Sequence, residues 1–158
     1  MSNKISAGLK TLFLVHFIFG LIFGLLALLI PETFFGWLSW KVTEPAVYRL
    51  VGAAVLGFAA GSWFCYKADT WGQVRNVVLM ELIWPPLGAL VSLWGLLSGQ
   101  LPAAGWINFV ILAGFAIAFY IYYNQHEAAA APAAMPAPKV TAPKAAARKA
   151  VRRRRARA

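Results

Sequence analysis

The chain has 158 residues, 61% of them hydrophobic, and a mean hydropathy of +0.66. A soluble domain is about half apolar, so this composition excludes an ordinary one. The formal charge of +10 does not describe a folded basic domain either, because nine of the 15 Lys and Arg follow position 138 and no Asp or Glu follows Glu127.

Residues 1–10 are polar, with Lys4 and Lys10 as their charges. Residues 11–30 then offer one strongly polar side chain, His16. A helix of that length measures about 30 Å, the thickness of a bilayer's hydrocarbon core. A signal peptide has a shorter apolar stretch, about 7–15 residues, and a small-residue cleavage site, so 11–30 is read as a first span. Residues 31–45 carry Phe34, Phe35, Trp37 and Trp40 among Glu32, Lys41 and Glu44. Such aromatic density predicts a segment at headgroup level.

The second span is 46–66, where Ala53, Gly57 and Gly61 recur every four positions along one helix face. Together with Gly20 and Gly24 of the first span, this stripe predicts close helix packing, within one chain or between chains. Cys65 is read as a small packing residue, and as the one cysteine it allows no intrachain disulfide. Residues 67–76 read as a polar turn with Lys67, Asp69 and Arg75, and 77–97 as the third span. Residues 98–104 form an uncharged turn. The fourth span, 105–123, has Trp106 at one end and Tyr120, Tyr122 and Tyr123 at the other, which matches interfacial belts.

The third span contains Met80-Glu81-Leu82-Ile83-Trp84-Pro85-Pro86-Leu87-Gly88. Proline has no N–H for the carbonyl four residues back, so Pro85 and Pro86 free the carbonyls of Glu81 and Leu82 and predict a bend. Counted from the span ends, Glu81 and His16 lie at similar depth, about 6–8 Å into the apolar layer, and are expected to form a hydrogen-bonded pair. Three roles are open to them. A structural role comes first, as a pair that fixes how two helices meet or a Glu81 that snorkels to the inner headgroups, then a ligand site and a proton-exchange site; Trp84 is read first as bulk at the bend and second as one wall of an apolar pocket there. Arg49 is expected to snorkel outward toward Glu32 or Glu44, and Asn108 to hydrogen-bond between helices. No CxxC, HExxH, GxGxxG or Gly-Lys-Ser/Thr loop occurs, and Ser62 and Ser92 read as packing residues. No catalytic residue, metal or cofactor is expected.

Residues 124–158 are rich in Ala, Pro, Lys and Arg. Too little apolar surface is present to offset the entropy of ordering, so a disordered tail is expected. Its end gathers Arg148, Lys149, Arg152, Arg153, Arg154, Arg155 and Arg157. Near an anionic leaflet each such charge contributes about 1 kcal/mol. Nucleic acid and an acidic protein patch are the other candidate partners. By the positive-inside rule both termini are cytoplasmic, leaving Lys41 and Arg49 as the outer basic residues.

The pattern Tyr48-Arg49-Leu50-Val51-Gly52, Gly57 and Gly61-Ser62-Trp63 resembles that of small, uncharacterised four-helix integral membrane proteins of prokaryotes. The resemblance implies the fold class and a prokaryotic inner membrane, and carries over no site residue. The tail is similar in composition to the basic tails of linker histones and some bacterial nucleoid proteins. The expected molecule is an all-α integral membrane protein, a four-transmembrane-helix bundle with a polybasic tail. Its expected role is a non-enzymatic accessory or assembly component of a membrane complex. A small transporter or binder of an apolar ligand (lipid or quinone) and a membrane tether for nucleic acid are the alternatives.

Overall fold

The computed structural model describes residues 4–130; the basic cluster 148–157 lies outside them. The helices are α1 (Ala7–Leu29), α2 (Pro31–Trp37), α3 (Pro45–Lys67), α4 (Trp71–Glu81), α5 (Trp84–Leu97) and α6 (Gly105–Ala130), with no strand among the described residues. Four segments are long and apolar enough to cross a membrane: α1, α3, α4 continued by α5, and α6.

Local chemistry sets the helix starts. Ser6 Oγ accepts the Leu9 N–H at 3.2 Å and caps α1. Pro31 and Pro45 open α2 and α3, where the missing N–H costs nothing. Thr70 and Gln73 form a capping box, with the Thr70 N–H donating to Gln73 Oε1 at 3.0 Å, and start α4 at Trp71. Residues 71–76 are therefore helical rather than part of the expected polar turn. Helix α6 likewise runs past 123 to Ala130. Gln125, Glu127 and three alanines favour helix, and Glu127 pairs with Arg75. The aromatic connection holds α2, with Phe35 buried against Tyr48 at 4.7 Å between ring centroids. Beside it Arg49 pairs with Glu32 at 3.4 Å.

Two hairpins result. In the first, α1 and α3 pack along their length. Gly20 meets Ala59, Gly24 meets Leu56, and a Cβ on Gly52 would lie 2.6 Å from the Leu28 backbone nitrogen. The expected stripe of Ala53, Gly57 and Gly61 is not this seam. A Cβ on Gly57 or Gly61 meets nothing within 4 Å, and Ala53 is exposed. Helix α3 carries small residues on two faces, and the face it turns toward α1 is the one that also offers Ser62 to His16. In the second hairpin, Gly88 of α5 meets Leu112 of α6, and Asn108 Nδ2 donates to Ser92 Oγ at 2.8 Å, the expected interhelical bond.

The hairpins meet at the end of the bundle that holds the α3–α4 turn. There Ile5, Leu9, Phe13, Cys65, Trp71, Val74, Val78, Phe115 and Phe119 form one core. Helix α4 packs on both α3 and α6, whereas α5 packs along α6 and touches α3 through the stack of its first residue, Trp84, on Phe58.

Candidate functional site at the break in the third span

Helix α4 stops at Glu81 and α5 starts at Trp84. The Ile83 N–H reaches only three residues back, to Met80 O at 3.0 Å, and the Leu87 N–H resumes on Ile83 O at 3.2 Å. The expected bend is thus a two-residue break at Leu82–Ile83. Pro85 is buried in the first turn of α5. Pro86 lines a shallow apolar groove of about 300 Å³ with Leu82, Ala116, Ile117 and Tyr120.

Glu81 is 2% exposed, although it is the residue just before this break. His16 Nδ1 lies 3.5 Å from Glu81 Oε1 and 2.7 Å from Ser62 Oγ. The expected pair is brought together, but the short hydrogen bond of His16 goes to Ser62. Glu81 Oε2 has no hydrogen-bond partner among the described residues. Phe115 and Phe119 pack T-shaped with the imidazole at centroid distances of 4.7 and 5.7 Å. Three helices thus supply three polar groups to an otherwise apolar enclosure.

The cluster also lies deeper in its helices than the span counts imply. His16 is the tenth residue of α1 and Glu81 the last of the 11 in α4. Both are about 15 Å from their helix starts, because the Ser6 cap and the Thr70 box start these helices early. Trp84 is not part of the cluster. It is 42% exposed and stacks on Phe58 at 5.6 Å with the rings 17° apart.

Serine, histidine and a carboxylate together suggest a nucleophilic relay, but the geometry is wrong for one. A relay needs the serine and the acid on opposite ring nitrogens, whereas Ser62 and Glu81 both approach Nδ1. Ser62 is also 0% exposed. Among the described residues no three His, Cys, Asp or Glu side chains gather as metal ligands. What the cluster can do is hold a proton. Carboxylic acid with neutral imidazole, or carboxylate with imidazolium, each leave the enclosure neutral, and a neutral enclosure is the condition for burial at this depth.

Sequence reasoning missed Ser62, which sits among alanines and glycines. Depth could have found it: Ser62 is about four residues from the end of its span on the same side, as are Glu81 and His16 on theirs. It also missed the clasp at the end of the bundle that holds both described termini. There His126 stacks on Trp71 at 5.0 Å and accepts the Ser6 N–H at 3.4 Å, and Arg75 pairs with Glu127. Lys10 bonds Asp69 at 2.9 Å, and this hydrogen bond and charge hold the Asp69 carboxyl below its ordinary value.

No protein-family model, curated protein or solved structure matches the chain. The site therefore has to be read from its own geometry.

Proposed function

We propose that the chain is a non-enzymatic accessory or assembly subunit of a membrane complex. It sits in a prokaryotic inner membrane with both termini cytoplasmic and its basic tail on anionic headgroups or an acidic partner. One observation supports this reading above the others. Helix α3 has two small-residue faces; α1 fills one of them, while on the other a Cβ at Gly57 or Gly61 meets nothing within 4 Å among the described residues and Ala53 is exposed. Small residues facing lipid gain nothing from it, whereas they let another helix backbone approach closely. The alternative of a ligand site centred on Glu81, His16 and Trp84 has weaker support, because the first two are enclosed and Trp84 is stacked elsewhere.

The same geometry makes a clean test. Gly57→Leu and Gly61→Leu should leave the four-span fold intact, since a side chain there meets open space. Full-length protein extracted in mild detergent should run in an assembly larger than one chain. The double variant should lose that assembly while keeping its helix content. A wild-type protein that runs as a single chain, or a double variant that keeps the assembly, overturns the reading.

A further inference from the structure

Glu81 combines two properties that ordinary packing does not require. It is a buried acid with an unpartnered oxygen, and it is the last residue before the one break in a span. The elements on the two sides of that break are held very differently. Helix α4 packs on α3 and α6, and Glu81 reaches across to His16 of α1. Helix α5, beyond the break, packs on α4 and α6 and meets α3 through the Trp84–Phe58 stack alone among the described residues. The end of α4 is therefore a latch between the hairpins, and Leu82–Ile83 is a joint about which α5 can swing with α6 once that stack and the α1–α6 contacts part, while the α1–α3 seam stays.

We propose that His16, Ser62 and Glu81 form a one-proton binding site that latches the two hairpins together, and that release of this proton opens the bundle at Leu82–Ile83. With the proton bound, the enclosure is neutral whichever of His16 and Glu81 carries it. Among the described residues no other charged group faces it. Helix α3 adds Ser62 and the thiol of Cys65; α6 adds Phe115 and Phe119, with Tyr120 further out beside Leu82. Helix α5 has no titratable side chain, and Arg75 of α4 is committed to Glu127. When the proton leaves for water, one unpaired negative charge remains on Glu81. An unpaired buried charge is strongly destabilising, and the accessible relief is movement of the α4 end toward water. The docked state then binds one more proton than the open state, so raising the pH favours opening.

The test uses full-length protein in lipid nanodiscs. Spin labels go on the exposed outer positions of the two hairpins, Leu50→Cys on α3 and Leu97→Cys on α5, 72% and 75% exposed, with single-label controls for the buried Cys65. From about pH 5 to about pH 10, the window in which buried carboxyls titrate, the label distance should lengthen by about 5 Å or more, one helix turn. The transition should have the steepness of one proton. Glu81→Gln, which is neutral at every pH, should hold the short distance throughout. Infrared difference spectra of the unlabelled wild type give a readout independent of whether that variant folds. The carboxylic-acid band of a buried Glu should vanish over the same pH interval as the distance change. A pH-independent distance in the wild type, a Glu81→Gln variant that still opens, or an acid band that does not follow the opening each overturn the proposal.

Discussion

On one side of the break, Phe13, Val74, Val78, Phe115 and Phe119 from three helices interlock with Cys65 of a fourth in a single core. On the other side the same spans pack mainly in pairs, through Gly20, Gly24 and Gly52 in one hairpin and Gly88, Gly95 and Gly105 in the other, with the Trp84–Phe58 stack linking the two. The difference shows two ways of holding apolar helices together through contact itself, the contribution that remains wherever lipid is the solvent. Large rings gain dispersion contacts by filling a shared space. Small residues gain them by letting backbones come close. The first joins several helices at once, and the second joins two.

Breaking the shared core should have the largest effect. Phe119→Ala empties a fully buried ring position and should cost about 2–4 kcal/mol, mainly as packing lost to the cavity. Denaturant titration in micelles would measure it, and the hairpins should separate before either one unravels. Breaking the α1–α3 seam comes next. Gly52→Val sets a side chain against the backbone of Leu28 and Gly24, which cannot yield as a flexible side chain can. A loss of about 2 kcal/mol is expected, with α1–α3 cross-links lost and α5–α6 cross-links kept. A smaller effect, about 1 kcal/mol, is expected from Asn108→Leu, which deletes the bond to Ser92. It should loosen only the second hairpin, as read by hydrogen exchange along α5. The smallest effect belongs to the exposed Lys10–Asp69 pair. Because Lys10 holds the Asp69 carboxyl low, the pair's contribution is present above the ordinary carboxylate range and fades as pH falls through the folded value. Asp69→Asn should remove that acid sensitivity, and salt should mask it.

The four spans were legible because apolar length is a strong signal. The nearness of His16 and Glu81 was legible too, because rise per residue converts a position in a span into depth. The break was readable from Pro85 and Pro86, since ring and missing N–H act locally. Which face of α3 meets α1 was not readable. Gly52 and Ala59 lie one register away from Ala53, Gly57 and Gly61, and periodicity treats the two stripes alike; a contact to another helix, Ser62 to His16, sets the orientation. The start of α4 was overlooked although Thr70 and Gln73 stand in the sequence at capping-box spacing. The reach of α6 to Ala130 had a local signal in Gln125, Glu127 and the alanines after it, whereas the Arg75–Glu127 pair joins positions 52 apart and leaves no local trace.

Beyond Leu82–Ile83 the Trp84–Phe58 stack is the contact that α5 keeps with α3 among the described residues. Leu90, Val91, Trp94 and Leu97 of α5 are left exposed. The outer half of this hairpin is thus an apolar surface that something other than the described helices has to cover, and water is the least favourable candidate.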